Sequence, residues 1–289
     1  MYTVSLIARP DGLDRTLVRG LSDAWSGSAV HWLSPEEAAE FTVGAAPENL
    51  WQIWEKAQAE GVDLVLQQTQ GRRKSMLLAD MDSTMIGQEC IDELADEAGV
   101  GDHVKDITAR AMNGELDFEA ALIERVGLLK GLDADIIQQV FEERITFTPG
   151  GKTLIATMAA NGGYAALVSG GFTAFTARVA TALGFDEHRA NTLLEENGAL
   201  TGEVGRPILG REAKVEALRA IAKARELTPQ KVIAVGDGAN DLGMLGLAGA
   251  GVALHAKPAV AAECDIRINH GDLRALLYLQ GYRRDQFVE

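Results

Sequence analysis

The sequence predicts an α/β protein: a doubly wound parallel, Rossmann-like sheet carrying an inserted helical cap, preceded by a small α+β domain. Three observations predict it. From residue 76 onward, short apolar strands alternate with helical stretches, the pattern of a parallel sheet covered by helices. Residues 87 to 145 break that alternation with helix-compatible runs only. Residues 1 to about 70 follow a different order, β-α-β-β-α-β. A chain of 289 residues has room for one large domain and one small one.

In the N-terminal unit, Tyr2, Val4 and Leu6 alternate as in a strand, then Leu13, Leu17, Leu21 and Trp25 recur at helical period. Two short extended candidates follow, "AVHWLS" and "EFTVG". A second helix has Pro47 near its start and Leu50, Ile53, Trp54 and Ala57 along one face. "VDLVLQ", residues 62 to 67, closes the unit. This order is that of a ferredoxin-like sandwich, similar to the ACT-type modules that precede some metabolic enzymes, although no ligand motif marks it as a sensor. The four tryptophans all fall in this unit, where core packing is the plain reading. "QTQGRRKS", residues 68 to 75, is polar and reads as a linker, with the connection proper at 71–75 and the second domain at 76–289.

In that second domain the candidate strands are "MLLAD", "YAALVS", "VIAVGD", "GVAL" and "IRIN". The insertion at about 87–145 contains runs such as "CIDELADEAG" and "FEAALIERVGLLKG". Residues 190 to 204, "ANTLLEENGALTGEV", place an Asn-Gly step between apolar-containing arms, a hairpin signal.

Composition narrows the function. A hydrophobic fraction of 47% and a charged fraction of 24% are ordinary for a folded soluble protein. The net charge of −15 disfavours nucleic acid or an anionic membrane as partner, but a few local cations and a metal can still hold a small anion. No signal-like N-terminus and no apolar run of about 18 residues is present, so a cytoplasmic location is expected. The two cysteines, Cys90 and Cys264, lack zinc or disulfide spacing and read as packing residues, and the five histidines form no ligand pair.

Ligands of such sheets bind beyond the carboxyl ends of the strands, which puts the chemistry in three loops: "DMDST" after "MLLA", "SGGF" (169 to 172) after "YAALV", and "GDGAND" (236 to 241) after "VIAV". Parallel packing would gather Asp80, Asp82, Asp237 and Asp241, whose charges repel without a divalent cation. An all-oxygen, acid-rich site suits Mg2+ held by carboxylates and a substrate phosphate. Phosphoryl transfer follows. An ionised aspartate can attack phosphorus and form an acyl phosphate, which makes Asp80 the candidate nucleophile. Two residues on, Asp82 could protonate the departing alkoxide and later deprotonate water. "SGGF" offers backbone N–H groups, a helix N-terminus and the Ser169 hydroxyl to an anion. Lys214, opening the helix "REAKVEALRAIAK", would balance the charge of the transferring group.

Together, "DMDST", "VSGGF", Lys214 and "VGDGANDLGML", in this order, resemble the haloacid dehalogenase-like superfamily of magnesium-dependent phosphohydrolases. The cap sequences "IGQECIDELADEAG" and "AMNGELDFEAALIERVGLLKG" narrow the resemblance to its phosphoserine phosphatase branch, over roughly residues 76 to 275. The resemblance implies hydrolysis of O-phospho-L-serine to L-serine and phosphate, the last step of serine biosynthesis, through an aspartyl-phosphate. It implies that the Asp80 carboxylate, the Asp82 backbone carbonyl and the Asp237 carboxylate contact Mg2+, with Asp241 in the metal's outer sphere. Ser169, Gly170 and Lys214 would hold phosphate, with Asn240 turned towards phosphate or substrate. Glu89 and Arg125 sit at the cap positions that would read the ammonium and carboxylate of the amino acid, with Met112 and Phe118 as apolar neighbours; a guanidinium suits the carboxylate because it binds bidentately. One departure is that Gly210 and Arg211 stand before the motif lysine where many relatives carry more acidic or lysine-rich residues. Analogy also allows a homodimer through the N-terminal domain.

Each feature alone has a plainer explanation. "SGGF" could be a tight turn, and "GDGAND" a turn or a calcium-type loop, although the distal Glu of such loops is absent. Glu89 and Arg125 could be solvated helix charges. Two alternative functions stay open: a phosphatase or phosphotransferase acting on another small phosphomonoester, and a regulatory protein whose N-terminal module senses an amino acid.

Overall fold

The computed structural model describes residues 1–113 and 115–289; the side chain of Met112, one of the expected site residues, also lies outside the described residues. The N-terminal order is β1 (Tyr2–Ala8), α1 (Arg15–Ala24), β2 (His31–Ser34), β3 (Ala38–Val43), α2 (Leu50–Ala59) and β4 (Val62–Gln68). These strands form a four-stranded sheet ordered β2-β3-β1-β4 with every neighbour antiparallel. This is the ferredoxin-like arrangement expected from the sequence. Helix α1 starts where the Asp14 side chain caps the Thr16 N–H. Val4, Leu6 and Ala8 face α1 and α2 together with Phe41, Leu64 and Ala57. Ile7 and Val65 point to the other face and join the core of the larger domain, so this sheet is covered on both sides. Trp25, Trp32 and Trp54 pack at the edge of the N-terminal core around Val4, Leu6 and Phe41. Trp51 does not follow the packing reading: it is 45% exposed, with the Arg267 guanidinium 4.6 Å above its ring.

Next come β5 (Met76–Ala79), then α3 (Cys90–Glu97), α4 (Gly101–Met112), α5 (Phe118–Gly127) and α6 (Ile136–Glu143), which make up the helical cap. Then follow α7 (Gly151–Ala160), β6 (Tyr164–Phe172), α8 (Thr173–Leu183) and β7 (Glu187–Asn191). A hairpin of β8 (Leu193–Glu196) and β9 (Ala199–Val204) turns at Asn197 and Gly198, both at positive φ (52° and 80°), as an Asn-Gly turn requires. The chain ends with α9 (Arg211–Ala224), β10 (Val232–Gly236), α10 (Leu242–Leu247), β11 (Ala250–Leu254), α11 (Pro258–Ala262), β12 (Ile266–Ile268) and α12 (Ala275–Leu279).

Six strands form one parallel sheet in the order β12-β11-β10-β5-β6-β7. All four residues of β5 and all five of β10 are buried, as two-sided coverage requires. From β5 the chain winds one way through β6 and β7, then returns to wind the other way through β10, β11 and β12. The reversal falls between β5 and β10, and the carboxyl ends flanking such a switch point form a crevice. Asp80 and Asp237 follow those two strands directly. The sixth strand, β7, was not expected: "EHRAN" is polar because it lies at the sheet edge with its middle residues exposed. The "SGGF" segment also differs from a simple loop, since β6 runs on through Phe172 with its pairing to β7 shifted between Val168 and Phe172.

Candidate active site

Three local arrangements build the site. After β5, the Asp80 N–H still donates to Val235 O of β10 (3.0 Å), carrying the parallel ladder one residue past the strand. The chain then turns sharply, with the Ser83 backbone at φ 53° and the Thr84 hydroxyl donating to Asp237 Oδ1 at 3.0 Å. After β10, Asp241 folds its own loop: Oδ2 accepts the N–H groups of Asp237 (3.1 Å) and Gly238 (3.0 Å). A side chain at Gly236 would lie 2.4 Å from the Asp241 carboxyl, so only glycine fits beneath that carboxylate. At the end of β6, Asn191 fastens the bulged segment by donating to Gly170 O (2.8 Å) and Leu209 O (3.1 Å), while its Oδ1 accepts the Leu209 N–H.

Asp80, Asp237 and Asp241 come together, each offering a carboxylate oxygen within 4.8 Å of the others. Asp82 does not share that cluster through its carboxylate, which accepts the Cys90 N–H on Oδ1 (2.8 Å) and the Ser169 hydroxyl on Oδ2 (3.1 Å). Lys214, fully buried, lies 2.8 Å from Asp80 Oδ1 and 2.6 Å from Asp241 Oδ1. Burial pulls this ammonium down, but the Asp241 and Asp80 carboxylates more than offset it and hold the group above the ordinary lysine range. The acids respond the other way. Burial, then the charge of Asp241, raises Asp80 well above the usual carboxylate range and pushes Asp237 up to about 7. Asp82 is raised by burial, against the opposing pull of the Cys90 N–H.

The cluster fits a hard divalent cation. Its donors are all oxygen, the Lys214 ammonium bonds only two of the three carboxylates, and Asp237 Oδ2 is buried with no hydrogen-bond partner among the described residues. An orphaned buried carboxylate oxygen is costly, and an ion at this position would satisfy it. The buried Asn240 Oδ1 also lacks a partner there.

One cavity collects Asp80, Asp82, Glu89, Phe118, Arg125, Ser169, Gly170 and Asn240. Glu89, at the start of α3, accepts the Ser83 hydroxyl at 2.6 Å, and burial raises it well above the ordinary range. Arg125 is 5% exposed. Side chains approach closely at 170 and 171: a Cβ would lie 2.6 Å from the Phe118 ring and 2.5 Å from Asp82 Oδ2, respectively, so either substitution would displace a residue of the site. Thr84, Asn191, Thr108, whose hydroxyl accepts from Arg125, and Asp92, which accepts from Thr108, belong to this architecture without having been singled out in the sequence. Only Thr84, inside "DMDST", carried a local signal.

A switch-point crevice with an acid triad able to hold a metal ion, a buried lysine and a glycine-lined cavity is the arrangement of a hydrolase of the α/β class. A family model for haloacid dehalogenase-like hydrolases matches residues 77–246, and the chain belongs to that family. It is 45% identical over 204 residues to a phosphoserine phosphatase of Lactococcus lactis, covering 71% of this chain and 94% of that one. It is 43% identical over 223 residues to a phosphoserine phosphatase of Archaeoglobus fulgidus, covering 76% of this chain, and spans 64% of that relative's length. Nearly the whole chain (96%) superposes on 97% of a HAD-family hydrolase structure from Salmonella enterica serovar Typhi, with a TM-score of 0.86 and 30% identity.

Proposed function

We propose that the chain hydrolyses O-phospho-L-serine to L-serine and phosphate, with Mg2+ as the divalent ion and Asp80 as the group that becomes phosphorylated. The observation that carries this reading is the division of labour in the cavity. Asp80, Asp82 and Ser169 line one part of it, with Lys214 buried against Asp80 at 2.8 Å; from the cap come one carboxylate, Glu89, and one guanidinium, Arg125, for a ligand bearing both an ammonium and a carboxylate. The relatives named as phosphoserine phosphatases support it.

In this reading Asp80, Asp237 and the Asp82 backbone carbonyl would hold the ion, with Asp241 in its outer sphere. When bound, the ion would neutralise charge on the phosphoryl oxygens. The remaining steps belong to side chains. Ser169, the Gly170 main chain and Lys214 hold the phosphoryl group in line with Asp80. The Asp80 carboxylate attacks phosphorus, and the serine alkoxide leaves with a proton from Asp82, which burial helps to keep protonated. Asp82 then takes a proton from water as that water attacks the acyl phosphate, releasing phosphate and restoring both carboxyls. Phe118 covers Gly170 and limits access of bulk water.

Phosphate release from a panel of small monoesters, with and without a chelator, tests the reading. O-Phosphoserine should be the preferred substrate and chelation should abolish turnover, with recovery on adding Mg2+. Faster turnover of another ester, or activity indifferent to chelation, would contradict it.

A further inference from the structure

Three cap helices meet at one hydroxyl. Asp92 on α3, Thr108 on α4 and Arg125 on α5 are joined in a single line: Arg125 Nη1 donates to Thr108 Oγ1 (3.0 Å), and Thr108 Oγ1 donates to Asp92 Oδ1 (2.6 Å). A hydroxyl has one proton and two lone pairs. With that proton committed to the carboxylate, the lone pairs can only face the guanidinium, so the polarity of the relay is fixed. Arg125 Nε is held separately by Ala121 O at 3.1 Å. Thr108 is 3% exposed and Arg125 5% exposed. Among the described residues no protein acceptor takes Arg125 Nη2, and Arg125 lines the cavity.

We infer that Thr108 and Asp92 are positioning residues that set the plane of the Arg125 guanidinium and thereby the preference for a phosphomonoester bearing a carboxylate. The inference rests on the substrate reading above. Without the relay, a long side chain anchored only through Nε would lose the fixed fork that bidentate carboxylate recognition needs. The negative end of the relay also keeps charge balance near a buried cation that has no direct carboxylate partner among the described residues. Neither Thr108 nor Asp92 lines the cavity, so their effect on the substrate passes through Arg125.

The test compares kcat/KM for O-phosphoserine with that for O-phosphoethanolamine, which keeps the ammonium and lacks the carboxylate. Thr108→Val, nearly isosteric, should lower the ratio of the two roughly 10- to 100-fold, the span expected for a lost hydrogen bond to a charged group, and the change should appear in KM for O-phosphoserine rather than in kcat. Thr108→Ser should restore the ratio. Asp92→Asn should shift it in the same direction by less, because the amide oxygen can still accept, and it decides the matter if Thr108→Val does not fold. Equal losses on both substrates, or an unchanged ratio, would overturn the relay. Arg125→Ala separates the two levels: if it collapses the ratio while Thr108→Val and Asp92→Asn do not, the relay is wrong and the substrate reading stands; if Arg125→Ala leaves the ratio intact, both fall.

Discussion

Lys214 shows at the scale of one residue how the site is balanced. Its ammonium is fully buried between Asp80 and Asp241, and removing one partner of a buried ion pair costs more than never having made the pair, because the other charge is left unsolvated. Lys214→Met in metal-free buffer should therefore lower the free energy of unfolding by about 3–5 kcal/mol, as read by urea denaturation; a change below about 1 kcal/mol would mean that the carboxylates are neutralised some other way. The motif residues were legible in the sequence because each sits within a few positions of a buried strand's end: Asp80, Asp82, Ser169, Asp237 and Asp241 needed only the strand assignment. Thr108, Asp92 and Asn191 were not. Thr108 acts on Arg125 17 positions away and Asn191 on Gly170 21 positions away, and an isolated Thr or Asn on a helix or at a strand end has no periodicity to mark it.

Among the elements, the hairpin β8–β9 is part of the cap's support. The Gly131 N–H donates to Leu200 O (2.8 Å), the Leu200 N–H to Leu132 O (2.8 Å) and the Ala134 N–H to Gly198 O (2.9 Å), with the Leu200 side chain 3% exposed. Leu200→Ala should cost about 2–5 kcal/mol and release the hairpin from the cap before the sheet unfolds. Hydrogen exchange should then speed up at the Gly131 and Ala134 amides while β5 and β10 keep their protection; uniform loss of protection would show that the hairpin is not a separate unit. The turn itself was readable from Asn-Gly, and the cap from its helical runs. Strand β7 was not, since an edge strand of polar residues lacks the apolar run that announced β5, β6 and β10.

For the whole molecule, one buried acid anchors the polar part of the junction between the two sheets, beside the apolar contacts of Ile7 and Val65. Asp63, in β4 and wholly inaccessible, accepts the N–H groups of Asn269 (2.8 Å), His270 (3.0 Å) and Gly271 (2.8 Å) just after β12. Gln67 adds a bond to Leu279 O (2.6 Å), and Tyr278 donates to Glu37 at 2.9 Å. Asp63→Ala would orphan three backbone donors and should destabilise the protein by about 3 kcal/mol or more, with Asp63→Asn costing less because one oxygen remains. Calorimetry should show one transition for the unmodified protein and two for Asp63→Ala; the same transition for both would contradict a docked N-terminal sheet. The sequence displayed both units, one α+β and one α/β, through their periodicities. It did not display their union, because Asp63 reads as an ordinary strand residue and its partners lie over 200 positions away.

The central claim is that a gathered set of carboxylates turns one of its members, Asp80, into the group that carries phosphorus. Rapid quenching during turnover of O-phosphoserine with Mg2+, followed by borohydride reduction and peptide mass spectrometry, tests it most directly. The account predicts homoserine at position 80, formed from the trapped acyl phosphate, and none when the chelator is present. Reduction at another aspartate, or an unmodified Asp80 while phosphate is being released, would contradict it.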